Sequence, residues 1–206
     1  MILFRTMRGW GSAGRDGGTR WSAFWLAVVL SVAFLPVLLH GWPASAHDSG
    51  DLLIRVWKTR HELWLQDGDE IVRKFPIALG KEPTAGKLVR GDGRTPEGRY
   101  YICEKRSRSR FHRFLGISYP NIDDAERAYA EHLINADEWA DIFFANLQQS
   151  TPPWSTVLGG RVGIHGYGGR PTIPIDWTEG CIAVTDPDID YLYDRVPLGT
   201  PVVISE

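Results

Sequence analysis

The chain has 206 residues, of which 43% are hydrophobic, and a formal net charge of −2. This length suits one globular domain and leaves little room for two. Because acidic residues slightly outnumber basic ones, the composition gives no reason to expect a nucleic-acid partner.

The first 46 residues have the layout of a secretory signal peptide. Four arginines and one acidic residue occupy the first twenty positions, an apolar run covers 21–39, and Ala44-Ser45-Ala46 follows. A basic segment, an apolar segment and small residues before the cleavage site are typical of export signals. We expect cleavage after Ala46 and export to the periplasm or cell envelope. The run 21–39 is also nearly long enough for an uncleaved membrane anchor, which is the alternative.

The first half of the remaining domain, which covers 47–206, is predicted to be mostly β. Apolar-rich or alternating runs predict strands over 52–57, 61–66, 71–79, 99–103 and 114–118. The polar turn Asp67-Gly68-Asp69 predicts a hairpin between the second and third runs. Pro76 indicates an edge strand or a bulge, because proline cannot donate to a strand ladder.

Residues 121–149 break the β pattern and form a predicted helical insertion. Asp123 and Asp124 resemble helix caps, 125–133 lacks glycine and proline, and apolar residues recur near helical spacing in 136–149, which together predict two short helices. Packing of these two helices onto the sheet is the simpler interpretation. A lid over a functional site is the alternative.

The last third contains short elements separated by glycine and proline. Residues 161–164 predict a strand that ends at His165, and the loop 166–176 is too rich in glycine and proline for regular structure. Asp186 is predicted to cap a helix that begins at Pro187 and ends near Val196. A final strand is predicted over 200–205.

His165 and Cys181 are the candidate catalytic pair. A thiol is a strong nucleophile only as thiolate, and a neighbouring imidazole can remove its proton. Gly166 and Gly180 lie next to the pair and would allow close approach of a substrate backbone. A single Cys and a single His are, however, more often ordinary packed residues.

Two further features have alternative interpretations. Cys103 is the only other cysteine, and in an oxidising compartment it could form a disulfide with Cys181, which would remove the nucleophile. A basic cluster is predicted to be a solvated hairpin tip, or else a docking patch for an anionic envelope polymer; its members are Lys105, Arg106, Arg108, Arg110 and Arg113. The six histidines show no ligand-like spacing, so we expect no metal ion and no other cofactor.

Three segments resemble the L,D-transpeptidase catalytic domain (YkuD) family. His165-Gly166 is similar to the family's His-Gly, and Thr178, Gly180, Cys181 and Ile182 are similar to its Ser/Thr-His-Gly-Cys segment. Thr95-Pro96-Glu97-Gly98 resembles the upstream Thr-Pro-x-Gly segment, and residues 115–121 also resemble one branch of the family. The resemblance covers most of 50–205. It implies a mainly β fold with α, a sandwich-like catalytic domain that carries a short helical insertion.

The resemblance also implies roles for residues. Cys181 would be the nucleophile and His165 its base, with the Gly166 carbonyl orienting the imidazole and N–H groups around Gly180 binding the oxyanion. The substrates would be peptidoglycan stem peptides, whose acyl group passes to an amine. Hydrolysis of the same acyl-enzyme, by an L,D-carboxypeptidase or amidase, and a non-catalytic wall-binding module are the alternatives.

Two positions depart from the family pattern, and four others are further candidates for a role at the site. Glu179 stands where many members have His, and Ala183 stands where many have Arg or Asn. A carboxylate at Glu179 would raise the pKa of Cys181 unless it points away, and Ala183 removes a cation that could hold a substrate carboxylate. The candidate substrate-binding residues are Tyr119, Trp177 and Thr178, and core packing is the alternative for Tyr119 and Trp177. Asp176 is considered as a second group that could orient His165.

Overall fold

A computed structural model of the chain describes residues 52–170 and 175–206. The predicted signal peptide and the apolar run 21–39 lie outside the described residues, so both stay predictions. In the part that is described, no helix is both long and apolar enough to cross a membrane.

In the described part of the chain, eight strands form one mixed sheet. In chain order they are β1 (Leu52–Trp57), β2 (Glu62–Asp67), β3 (Glu70–Pro76), β4 (Gly98–Ser109), β5 (His112–Ile117), β6 (Gly163–His165), β7 (Ile182–Ala183) and β8 (Pro201–Ser205). Their order across the sheet is β3-β2-β1-β8-β4-β5-β6-β7. The pairs β1–β8 and β6–β7 are parallel, and the other pairs are antiparallel.

The predicted hairpin is present, and β3 is the edge strand that Pro76 indicated. Pro76 is the last residue of β3, so its missing N–H leaves the ladder intact. The register shift between β2 and β3 lies at Leu65 and Gln66 rather than at the proline.

The sheet curls until its two ends meet. β4 is twelve residues long and pairs with β8 through its first half and with β5 through its second half. Directly after β3, Ala78 forms an isolated bridge with Ala183, and Gly80 forms one with Thr178. The chain near β3 therefore contacts the chain near β7, and the two curved halves enclose a core in the sandwich-like manner expected from the sequence.

The helical insertion consists of α1 (Ile122–Ala130) and α2 (Ala136–Leu147). Each begins with an asparagine, Asn121 or Asn135, in a reciprocal capping box, which satisfies N–H groups that a helix start leaves unpaired. The two helices pack on each other around Ile142 and on Leu158. Their apolar cluster is separate from the core of the sheet, so the two helices pack mainly on each other, which differs from the predicted packing onto the sheet.

The third helix, α3, extends over Asp186–Arg195, and its N-cap differs from the prediction. The Thr185 hydroxyl accepts a hydrogen bond from the Asp188 N–H, so Thr185 is the cap and Asp186 is the first helical residue. A hydroxyl one position earlier takes the capping role because the Asp186 carboxylate accepts from the loop that follows His165.

Candidate active site

The two candidate catalytic residues lie at neighbouring parallel strands: His165 is the last residue of β6, and Cys181 directly precedes β7. Ile164 pairs with Ile182, and His165 pairs with Ala183, so Cys181 enters its strand beside Gly163. Successive side chains on a strand point to opposite faces, and in-register neighbours share a face. The imidazole of His165 and the thiol of Cys181 therefore project to the same side of the sheet.

Both side chains line one cavity of about 330 Å³. The remaining wall comes mainly from the β4–β5 hairpin and includes Glu104, Arg106, Ser109, Arg110, Phe111, Phe114 and Arg161. No residue of α1 or α2 is among those that line it, so the lid interpretation of the insertion has no support in this geometry.

His165 is held in one tautomer. Its Nδ1 lies 2.7 Å from the Gly166 carbonyl oxygen, and a carbonyl only accepts, so Nδ1 carries the hydrogen. Nε2 is then the basic nitrogen. Phe111 stacks on the ring at a centroid distance of 4.6 Å. Only 2% of the residue is exposed, and this burial lowers the pKa of His165 below its ordinary value.

Cys181 is half-buried and is a free thiol. Its Sγ donates to the Arg161 carbonyl oxygen at 3.6 Å. Burial raises the thiol pKa to about 11, while the Gly163 N–H and the Lys87 ammonium act in the opposite direction. The shifts of the two pKa values both favour the uncharged forms, which are the thiol of Cys181 and the neutral imidazole of His165.

A tight turn presents Cys181. The Thr178 hydroxyl donates to the Cys181 carbonyl at 2.6 Å and accepts from the Gly180 N–H at 3.1 Å. Gly180 has a φ of +126°, and a Cβ there would lie 2.5 Å from the Arg94 carbonyl oxygen. Glycine is therefore required at 180. The Thr178 hydroxyl shapes the turn from within, which differs from the substrate contact suggested by the sequence.

The glycine- and proline-rich loop before β4 supports this turn. The Gly80 N–H donates to the Thr95 hydroxyl, and the Lys81 N–H donates to the Thr178 carbonyl. The Asp92 carboxylate holds the loop by accepting from three backbone N–H groups and from the buried Lys87 ammonium. The Thr-Pro-x-Gly segment thus acts at the site by fixing the Cys181 turn.

The loop after His165 is tied to α3. Asp186 accepts from the N–H groups of Gly168 and Gly169 at 2.9 and 2.7 Å. A Cβ at Gly166 would lie 2.2 Å from an Asp186 oxygen, so the carbonyl that orients His165 needs glycine at 166. These amides lower the pKa of Asp186, although its burial acts in the opposite direction.

Trp177 and Tyr119, the other two predicted substrate-binding residues, lie in different parts of the structure. Trp177 packs edge-on at 5.8 Å from the His165 ring, beside Phe111 and Tyr167, so it belongs to the wall that holds the imidazole. Tyr119 has no exposed surface and its hydroxyl donates to the Leu158 carbonyl, which is the core position weighed as the alternative to lining the cleft.

Asp176 does not orient His165. One of its oxygens accepts from the Leu79 N–H at 2.7 Å, and the other lies 3.0 Å from Nε2 of His61. That carboxylate fastens the segment after β3, and the Gly166 carbonyl is the group that contacts the imidazole.

Two alternatives from the sequence concern the Glu179 carboxylate and a disulfide between Cys103 and Cys181. Glu179 is 70% exposed on its side chain and pairs with Lys81, so its carboxylate points to solvent, away from the buried thiol. Cys103 and Cys181 are both free, so the alternative in which they form a disulfide is not what the structure shows. Within 52–170 and 175–206, no cluster of His, Cys, Asp and Glu has the arrangement of a metal site.

Four residues that shape the candidate site were not predicted to do so from the sequence: Lys87, Phe111, Arg161 and Asp186. Phe111 was hidden inside the basic cluster, and Lys87 looked like an ordinary loop residue. For Arg161, the preceding Gly159-Gly160 was a signal, because adjacent glycines mark a tight turn next to the strand that carries His165.

This arrangement defines a class of site: a thiol and an oriented imidazole that share a cavity, which suits acyl transfer. The sequence matches the family model of the L,D-transpeptidase catalytic domain, YkuD, over residues 51–204. The chain belongs to this family.

Solved structures show the same fold at low identity. The helical cell shape determining protein Pgp2 from Campylobacter jejuni is 21% identical with a TM-score of 0.52, and the match covers 75% of this chain and 47% of Pgp2. Bd1075 from Bdellovibrio bacteriovorus is 20% identical with a TM-score of 0.50, over 75% of this chain and 48% of Bd1075. The chain thus spans about half the length of these proteins. The search of curated proteins found no match.

Proposed function

We propose that this protein is a cysteine acyltransferase that acts on peptidoglycan stem peptides. The observation that carries the proposal is the shared cavity, which is lined both by His165 at the end of β6 and by Cys181 directly before β7. Family membership supports the substrate class. Export to the periplasm or cell envelope is part of the proposal and rests on the signal-like residues 1–46.

The first half-reaction begins from the uncharged pair. The thiol turns from the Arg161 carbonyl towards His165, Nε2 removes its proton, and sulfur attacks the carbonyl carbon of the stem peptide. The Gly180 N–H is already bound to Thr178, so the Cys181 N–H is the candidate donor to the oxyanion. The tetrahedral intermediate collapses as the leaving amine takes the proton from the imidazolium, which leaves a thioester on Cys181.

The second half-reaction reverses these roles. An acceptor amine attacks the thioester, His165 takes the amine proton, and the thiol leaves with that proton. Water as acceptor would give hydrolysis through the same steps. Glu179 departs from the family pattern, but its carboxylate points to solvent and places no charge beside the thiol, so this departure does not favour a non-catalytic wall-binding module.

Incubation of the domain 47–206 with purified sacculi tests the proposal. We expect cross-linked muropeptide dimers by mass spectrometry, and we expect none with Cys181→Ala. Cys103→Ala is the matched control, because Cys103 is the other thiol and lies outside the cavity lining. Only shortened peptides would indicate hydrolysis, and equal products from the Cys181→Ala variant would overturn the proposal.

N-terminal sequencing of the exported protein tests the location. The proposal expects a mature N-terminus at His47, and a chain that keeps 1–46 in the membrane fraction would indicate the anchor instead.

A further inference from the structure

Two cations beside the nucleophile have no acidic partner. Arg110 and Arg161 both line the cavity that contains Cys181. Among the described residues, neither guanidinium forms an ion pair, whereas Arg106 in the same cavity pairs with Glu104 and nearby Arg113 pairs with Asp190 and Asp194. Glu104 is the only carboxylate among the described residues that line the cavity, and it already binds Arg106, so these residues carry an excess of positive charge.

Arg161 is held next to the reacting atom. Its backbone carbonyl accepts from the Cys181 thiol, and its guanidinium lies over the Trp154 ring at 5.4 Å. Trp154 in turn covers Gly160, where a Cβ would lie 1.9 Å from the indole. Arg161 itself has a φ of +55°, which is uncommon for a residue other than glycine. Neighbouring side chains thus fix an exposed cation at the rim of the site.

Arg161 also stands between two cavities. A second cavity, of about 580 Å³, is lined by Arg90, Trp154, Ser155, Gly160 and Arg161. In that cavity the Arg90 guanidinium donates to the carbonyl oxygens of Trp154 and Thr156, so it stabilises the loop that contains these two residues. A peptide that extends from Cys181 into the second cavity would pass the free guanidinium of Arg161.

We infer that Arg161, assisted by Arg110, binds a free carboxylate of the acyl-donor peptide and makes this enzyme selective for anionic stem peptides. The inference rests on the proposed function and adds the chemical feature that the site recognises. A guanidinium binds a carboxylate through two parallel hydrogen bonds, which fixes the orientation of the peptide as well as its charge. Arg161 lies in the loop before β6, and Arg110 lies in the turn of the β4–β5 hairpin. Together they supply the positive charge that Ala183 does not provide.

The test compares two donor peptides in thioester formation on Cys181. One is a stem tetrapeptide with free side-chain carboxylates, and the other is the same peptide with those carboxylates amidated. For the wild-type protein we expect kcat/KM to be about 10- to 100-fold higher for the free acid, as charge-assisted hydrogen bonds allow. Arg161→Gln should remove this preference by lowering kcat/KM for the free acid alone, and Arg161→Lys should keep part of it.

Arg108→Gln is the matched control, because Arg108 is exposed on the same hairpin and lines neither cavity. We expect it to keep the full preference. Equal rates of the two peptides with the wild-type protein, or an unchanged preference in Arg161→Gln, would overturn the inference. Absence of any thioester from either peptide would instead count against the proposed function, so the two failures are distinguishable.

Discussion

The resting protonation of Cys181 gives a prediction that follows directly from its burial. The pKa of the thiol is raised from an ordinary 9.0 to about 11. Two pKa units correspond to about 2.7 kcal/mol of added cost for the thiolate. At pH 7 the thiolate population is therefore ~100-fold smaller than for an unshifted thiol.

Alkylation by iodoacetamide measures this population, because the reagent reacts with the thiolate and does not need His165. In a Cys103→Ser background, which leaves one thiol, the rate should increase tenfold per pH unit from pH 7 to 9.5 without a plateau. Acylation by a stem peptide should behave differently, because His165 removes the thiol proton during attack. The acylation rate should increase with pH only until His165 has lost its proton, which happens below pH 6.5 because its pKa is lowered. Above that pH the rate should stay constant.

His165→Gln separates the two reactions. It should abolish acylation and leave the alkylation profile nearly unchanged. An alkylation rate that is already maximal near pH 7 would refute the reasoning, since it would mean that a thiolate–imidazolium pair is the resting state.

Two substitutions test the turn that presents Cys181, and a third tests a buried carboxylate in the first turn of α1. Thr178→Val leaves the Gly180 N–H and the Cys181 carbonyl without their partner, and urea unfolding should show a loss of about 1–3 kcal/mol together with slower acylation. Gly180→Ala forces an unfavourable φ and a contact with the Arg94 carbonyl, so thermal unfolding should show a loss of at least about 2 kcal/mol; unchanged stability would contradict the turn. Burial raises the pKa of Asp124 to about 6 in the folded protein, so the folded state favours the protonated carboxyl. Its contribution to folding stability is complete below pH 3.8 and is lost as the pH rises through 6. Relative to Asp124→Asn, the wild-type protein should therefore lose about 3 kcal/mol of stability between pH 3 and pH 7, and parallel stability curves would contradict this assignment.

The sequence predicted the elements whose signals are local. Alternation and turn residues located β1, β2 and β3, and capping residues with helical spacing located the insertion. The end of the strand at His165 was also predictable, because glycine and proline mark the loop that follows. β4 was underestimated at 99–103, since its second half carries exposed basic residues that look like a loop but pair with β5.

The parts that sequence could not predict depend on contacts between distant segments. Asp176 lies close to His165 in sequence, yet its oxygens bind Leu79 and His61 from the opposite end of the sheet. Arg110 and Arg161 are 51 positions apart and meet at one cavity only because β5 pairs with β6. Tyr119 follows a buried strand and continues into the core, which its motif-like surroundings did not reveal.

The central claim is that Cys181 carries the acyl group of a stem peptide. Rapid quenching of the domain 47–206 with a stem tetrapeptide, followed by intact-mass and peptide-mass analysis, tests it most directly. The account predicts a mass increase equal to the donor peptide minus its leaving residue, located on the peptide that contains Cys181 and absent from Cys181→Ala and His165→Gln. An adduct on another residue, or turnover of the peptide by Cys181→Ala, would contradict it.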